Sequence, residues 1–314
     1  MKFGFVFPGQ GSQHVGMLAE FADQYPIVLQ TFNQASEILG FDLWEIAANG
    51  PQEKLNQTEL TQPALLATSV AIWRIWQAHK APQPALFAGH SLGEYSALVC
   101  AGALQFTDAI AVVHQRGQFM QAAVPMGTGL MAAIIGLADH DVIEVCKQAS
   151  TISEIVSAAN FNSPAQIVIA GHTAAVQRAC ELAKQKGAKR DLVLAVSVPS
   201  HCALMQSAAE KLRPILESIN IAAPHIPVIN NVDVNITSDP AQIREALIAQ
   251  LTQPVRWVEI IQKMVQNGCV AIAECGAGKV LTGLNKRIVE GVACFSINDP
   301  EQLKEAVKLM TRAG

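Results

Sequence analysis

Charged side chains are scarce in this 314-residue chain, at 15% of the total. Half of the residues are apolar and the mean hydropathy is +0.26. A disordered or solvating chain needs the opposite balance, so a sizeable buried core is expected. Neither sign dominates. Twenty-two Lys and Arg against 26 Asp and Glu give a net charge of −4, which supplies no electrostatic footprint for nucleic acid or an anionic membrane. No run of eighteen apolar residues is present, as a membrane-spanning helix would need; the apolar stretch 64–73 stops at Arg74. The seven cysteines, an odd number, contain no Cys-x-x-Cys pair. Reduced core thiols are expected, rather than a disulfide framework or a metal site. Phe3–Phe7 is too short for the apolar part of a secretion signal, so the expected compartment is the cytoplasm. Repeats and low-complexity tracts are also missing.

What is present is alternation. Short apolar runs alternate with segments of helical period, which indicates an α/β protein. Strands are expected at 3–7, 85–88, 227–231, 270–274 and 293–297. Helices are expected at 13–39 with a break near Pro26, and at 64–79, 94–103, 204–219, 241–251, 258–266, 281–289 and 301–310. Thr107 and Asp108 are expected to cap a further helix running to about Ala123. Between these lies a separate order: strand 130–135, helix 140–149, strands 155–159 and 166–170, helix 173–186 and strand 191–196. Asn-Phe-Asn-Ser-Pro joins the two middle strands. The order is β-α-β-β-α-β, the ferredoxin-like arrangement. The expectation is therefore a ferredoxin-like small domain, 126–196, inserted into a larger α/β domain made of 1–125 and 197–314.

Gly89-His90-Ser91-Leu92-Gly93 matches Gly-x-Ser-x-Gly between a strand signal and a helix signal, the context of a nucleophile elbow. The chain must turn sharply there, and side chains at positions 89 and 93 would clash. The helix start supplies free N–H groups and a positive dipole end, which puts the N–H of Leu92 in place to stabilise an oxyanion. A serine hydroxyl needs a base. His90 stands beside the apex, where a side chain generally points away. His14, His79, His114, His140 and His172 fall on helix-like or capping positions. His201 follows an apolar strand and the Pro199-Ser200 turn, at the rim where α/β active sites gather. The residues alone leave the base open, with His201 as one candidate.

Phe7-Pro8-Gly9-Gln10-Gly11-Ser12-Gln13 and Gly-His-Ser-Leu-Gly followed by Glu94-Tyr95 resemble the acyltransferases of fatty acid and polyketide synthesis. The likeness continues through Gln115-Arg116-Gly117, Ala159-Asn160-Phe161-Asn162, Val198-Pro199-Ser200-His201 and Pro254-Val255-Arg256-Trp257. The segment 274–281 fits too, departing at Cys275 and Ala277, where Val and Pro are the family's residues. Of this family the chain resembles most the malonyl-transferring members of bacterial type II fatty acid synthesis. The resemblance implies a hydrolase-like parallel sheet for the large domain. It makes Ser91 the acylated nucleophile and His201 its base. It gives the oxyanion hole to the N–H groups of Gln10 and Leu92, and the substrate carboxylate to Arg116. It has a backbone carbonyl near Gln250 orient the histidine, and Asn160 support the pocket by hydrogen bonds. Without it, Arg116 reads as a solvated helix residue; with it, Gly117 beside Arg116 reads as room for the substrate.

A malonyl group carries a carboxylate, and burying that charge unpaired costs several kcal/mol; a planar guanidinium meets it with two hydrogen bonds. The implied cycle is ping-pong transfer from malonyl-CoA to the phosphopantetheine thiol of an acyl carrier protein, with no metal or redox cofactor, by a monomer. Carrier proteins are acidic as a class. Lys189-Arg190 and Lys286-Arg287 are therefore candidate docking residues. The rival readings are a polyketide or malonate decarboxylase acyltransferase, a serine thioesterase or hydrolase, and an inactive scaffold. Val198-Pro199-Ser200 before the histidine resembles the fatty-acid type.

Overall fold

Phe3–Phe7 is buried at every position, as a central strand of a parallel sheet covered on both faces must be. In the computed structural model, which describes residues 2–194, 196 and 198–312, this strand is the middle of the larger of two sheets. In chain order the strands are β1 (Phe3–Phe7), β2 (Leu86–Gly89), β3 (Gly129–Ile135), β4 (Val156–Ser163), β5 (Gln166–His172), β6 (Arg190–Val193), β7 (Val228–Ile229), β8 (Ala271–Cys275) and β9 (Ala293–Ile297). The larger sheet is parallel throughout, in the order β7-β2-β1-β8-β9. The smaller is antiparallel, β4-β5-β3-β6, with helices Asp139–Ala149 and Thr173–Gln185 supplying its βαββαβ order. The fold is a hydrolase-like parallel-sheet part with a ferredoxin-like unit. The strand expected to reach residue 196 ends at Val193; Ala195 and Ser197, at the expected domain boundary, lie outside the described residues.

An aromatic cluster lies against the central strands of the large part. Phe5 meets Trp73, Trp76 and Phe87 at centroid distances of 5.9, 4.9 and 6.2 Å, which fixes helix Thr58–Ala78 against β1 and β2. That helix begins six residues before the expected start and holds Pro63 inside it. The proline has no N–H for the carbonyl of Glu59, and the ring Nδ1 of His114 takes that carbonyl instead at 2.9 Å. Helix Phe106–Ala122 carries His114 and crosses close by. A Cβ at Gly117 would fall on the Glu59 and Thr58 backbone, so the space beside Arg116 is filled by a helix rather than kept for substrate. The same helix starts after Gln105 with no side-chain cap; Thr107 and Asp108 stand in its first turn.

The expected connection at residues 160–163 is instead part of β4, which is bulged twice. The turn is Pro164-Ala165, with Ala165 at φ 58°. β4 stays extended because its far edge also pairs: Phe161 N–H donates to Val255 O and Val255 N–H to Ala159 O, both at 2.9 Å. This ties the small sheet to the segment before helix Trp257–Gln266. All seven cysteines are free and buried. Cys275 and Ala277, the two departures from the family pattern, sit in the core at 0% and 3% exposure. Among the described residues no helix is long and apolar enough to cross a membrane.

Candidate active site

β2 delivers the chain to the elbow at Gly89, and helix Gly93–Cys100 leaves it. Ser91 sits at the apex with φ 52°, a left-handed conformation that costs a non-glycine residue about 1–3 kcal/mol. The turn is tight enough that a Cβ at Gly89 would overlap the Gly93 carbonyl, and one at Gly93 the Phe7 carbonyl. Asn231 staples the strained loop. Its Oδ1 accepts from Ser91 N–H at 2.7 Å and its Nδ2 donates to Gly89 O at 2.6 Å.

His201, also left-handed at φ 61°, follows the small sheet and reaches back to the elbow. Its Nε2 lies 2.8 Å from Ser91 Oγ, and its Nδ1 lies 2.7 Å from the backbone oxygen of Gln250. A carbonyl can only accept, so Nδ1 carries the proton and Nε2 is free to accept from the hydroxyl. Burial first, and the Arg116 charge second, push the His201 pKa down to about 3. The imidazole is neutral at physiological pH, the form a base needs.

Arg116 is 1% exposed, not a solvated helix residue. Its Nη1 donates to Gln62 Oε1 at 2.8 Å. Its Nη2 donates to Gln250 Oε1 at 3.0 Å and to Ser91 Oγ at 3.3 Å. The ring of Tyr95 lies 5.5 Å from the guanidinium, and Nε–H meets no acceptor. The partners are two carboxamides and a hydroxyl. A buried cation with no carboxylate in hydrogen-bond contact can still take up an anion directly.

These groups border one cavity of about 90 Å³, with Gln10, Leu92, Asn160, Met120, Met131, Leu194 and Val196 also on its wall. Larger grooves of about 570 and 770 Å³ lie over the last helix and on the small sheet, and neither is lined by Ser91, His201 or Arg116. Leu92 precedes the first turn of its helix, where N–H groups lack helical acceptors. Gln10 is fixed by its side chain, Nε2 donating to Thr58 Oγ1 at 3.3 Å. Asn160 borders the cavity with its Oδ1 buried and without a donor, and its backbone bridges to Val255. His90 also borders the cavity, but its Nε2 is engaged 2.8 Å from Asn162 Oδ1 rather than at Ser91. Lys189, Arg190, Lys286 and Arg287 are exposed, and none borders the cavity. Arg190 stands four residues before Leu194, roughly 13 Å along an extended strand.

Four participants escaped the sequence reading: Gln62, Glu94, Asn231 and the side chain of Gln250. Gln62 is the buried one of the two carboxamides in helix Thr58–Ala78. Glu94 is 2% exposed; burial pushes its pKa up to about 7, against the bonds from Gln250 and Asn231 and the Arg116 charge.

The family described as the acyl transferase domain matches residues 4–293. The malonyl CoA-acyl carrier protein transacylase of Haemophilus influenzae is 60% identical over 300 residues, covering 95% of this chain and 96% of that one. Its namesake in Escherichia coli K12 is 54% identical over 308 residues, covering 98% and 99%. Among solved structures, an acyl carrier protein S-malonyltransferase from Vibrio cholerae superposes with a TM-score of 0.95 at 57% identity, covering 98% of this chain and 100% of that chain. A malonyl-transacylase solved with its type II polyketide synthase acyl-carrier protein gives 0.96 at 53% identity, covering 98% and 100%.

Proposed function

Since the chain belongs to the acyl transferase family, we propose that it carries a malonyl group from malonyl-CoA to the phosphopantetheine thiol of an acyl carrier protein, through an acyl-serine, and so supplies fatty acid synthesis. The observation that carries this reading is the Ser91–His201 pair, 2.8 Å apart, beside a buried guanidinium whose hydrogen-bond partners include no carboxylate.

The cycle follows from the geometry. The malonyl carboxylate pairs with Arg116, which places the thioester carbonyl at Ser91. Ser91 Oγ attacks that carbon as His201 Nε2 takes its proton. The oxyanion rests on the N–H groups of Leu92 and Gln10. The carbon–sulfur bond breaks, and the coenzyme A thiolate leaves with the proton from His201. The carrier thiol then gives its proton to His201 and attacks the ester; the carbon–Oγ bond breaks and Ser91 recovers a proton. The carbonyl of Gln250 holds the imidazole throughout. Every step uses side chains and backbone of this chain, and none calls on a metal or redox cofactor. The same reading makes the enzyme a cytoplasmic monomer without nucleic acid or membrane partners, with Lys189, Arg190, Lys286 and Arg287 meeting an acidic carrier.

A polyketide carrier as acceptor is the second reading, favoured by the 53% identity to the transacylase solved with one. The test is intact-mass spectrometry of enzyme and carrier after mixing with malonyl-CoA, with Ser91→Ala as control. Malonyl on Ser91 that moves to the carrier thiol, and is absent in the mutant, is the expected result. Free malonate without carrier product would make the protein a hydrolase. Rates with fatty-acid and polyketide carriers separate the two acceptors.

A further inference from the structure

Behind the elbow, on the side away from the cavity, Glu94 is buried in the first turn of helix Gly93–Cys100. One of its oxygens, Oε2, accepts two hydrogen bonds: from Gln250 Nε2 at 2.7 Å and from Asn231 N–H at 3.1 Å. Both donors belong to residues that hold the reacting groups. The Gln250 amide has two ends with opposite demands: Nε2 also donates to Ser91 O at 3.1 Å, while Oε1 accepts from Arg116 Nη2 at 3.0 Å. The backbone oxygen of the same residue holds His201 Nδ1. Asn231, whose peptide Glu94 fixes, staples Ser91 N–H and Gly89 O with its side chain.

We propose that Glu94 is a positioning residue for the acyl transfer, and that one oxygen of it sets the Gln250 amide and the Asn231 peptide, and through them Arg116, His201 and Ser91. An amide can turn over and exchange its ends. With an acceptor fixed at Glu94, only one orientation of Gln250 satisfies both neighbours, and that orientation presents oxygen to Arg116. Without the acceptor, one N–H of the amide is orphaned and only the longer bond to Ser91 O at 3.1 Å still holds that end, so the amide can tilt and Arg116 loses its aim. Glu94 touches neither substrate nor a reacting atom, so its effect passes through these two neighbours. The proposal rests on the malonyl-transfer reading above.

Three substitutions separate position from charge. Glu94→Gln keeps an oxygen of the same reach and removes the charge. Glu94→Asp keeps the charge but withdraws the carboxylate by about 1.5 Å, one carbon–carbon bond, beyond hydrogen-bond distance of both donors. Glu94→Ala removes both. The measurement is single-turnover acylation of Ser91 by malonyl-CoA and by acetyl-CoA, per acylatable serine, so that misfolded protein does not enter the rate. Glu94→Ala and Glu94→Asp are expected to acylate about tenfold or more slowly with malonyl-CoA. Their malonyl-to-acetyl preference should fall several-fold, because Arg116 is the group that has come loose. Glu94→Gln should recover most of both losses. Variants that lose acylatable protein but keep wild-type rate and preference would overturn the proposal, leaving Glu94 a fold residue. A wild-type-like Glu94→Asp beside an impaired Glu94→Gln would overturn it in favour of charge, and this pair decides the matter even where Glu94→Ala does not fold. Wild-type protein that malonyl-CoA fails to acylate would instead refute the malonyl-transfer reading.

Discussion

Replacing Arg116 by alanine should invert the substrate preference of the enzyme rather than merely weaken it. The malonyl carboxylate must enter a cavity of about 90 Å³ whose cation is 1% exposed. Removing one partner of a buried ion pair costs about 3–5 kcal/mol, because the other charge is left stranded. At about 1.4 kcal/mol per decade, that is a loss of roughly two to three and a half orders of magnitude in kcat/KM for malonyl-CoA. Acetyl-CoA has no charge to strand. For it the variant also removes the charge that helps to lower the His201 pKa, so its kcat/KM should change by less than about tenfold. His201 keeps its orientation, since its anchor is the Gln250 backbone rather than the guanidinium. Arg116→Lys should fall between, because one ammonium cannot satisfy Gln62 and Gln250 while also meeting a carboxylate in a bidentate pair. The assay is initial-rate coenzyme A release with both thioesters, alongside a thermal midpoint for each variant. Equal losses for malonyl and acetyl in a folded variant would refute the reasoning, since Arg116 would then serve the elbow and not the carboxylate.

Malonyl acylation should be nearly flat in pH from 7 to 5. With the His201 pKa pushed down to about 3 the base stays unprotonated, whereas a histidine at its ordinary 6.5 would lose about thirtyfold by pH 5; a kcat/KM midpoint near 6.5 would contradict this. The same depressed pKa means that stability carried by the neutral ring is intact above 6.5 and lost as pH falls towards about 3, so Tm should drop on acidification and His201→Gln should blunt the drop. Gly89→Ala and Gly93→Ala should each lose Ser91 acylation and more than about 4 kcal/mol of stability, because the added Cβ overlaps backbone that cannot retreat; a soluble, active variant with unchanged Tm would show that the elbow relaxes. Charge reversal at Lys189-Arg190 or Lys286-Arg287 should raise KM for the carrier protein at low salt, with little effect at high salt and none on acylation by malonyl-CoA; an unchanged carrier KM in both variants would move docking elsewhere.

Much of the fold was legible because period and punctuation are local. β1 and β9 fall at the expected residues, and the βαββαβ order of the small sheet could be read from apolar runs alone. The differences come from partners distant in sequence. Asn160–Ser163 looks like a connection until Val255 pairs with its edge. The helix expected from residue 64 runs back through Pro63, where His114 takes the carbonyl that the proline leaves bare. Gly117 looks like room for a ligand until Glu59 is packed on it. The site divides in the same way. Ser91 announces itself through the two glycines around it. The burial of Arg116 and the orienting role of a backbone oxygen at Gln250 are products of packing. The resemblance supplied those roles; it carried Glu94 in its motif without a role and did not include Asn231, and the bonds of these two run across 137 to 156 residues of chain.

The placement of charge explains why a carbonyl, and not an acid, orients His201. Gln250 Oε1 is 3.0 Å from Arg116 Nη2, and the backbone oxygen of the same residue is 2.7 Å from His201 Nδ1. A carboxylate at this point would pair with Arg116 before any substrate arrived, cancelling the cation that malonyl must find. It would also raise the histidine pKa, leaving more of the ring already protonated and unable to take a proton from the serine or the thiol. Neutral acceptors on both sides avoid this. They accept hydrogen bonds from His201 Nδ1–H and from one N–H of Arg116 without setting a carboxylate against the guanidinium. The nearby acid, Glu94, stands behind Gln250 and acts through its amide. An enzyme that must bind an anion beside its base gains more from an acid at second hand than from one in contact with the ring.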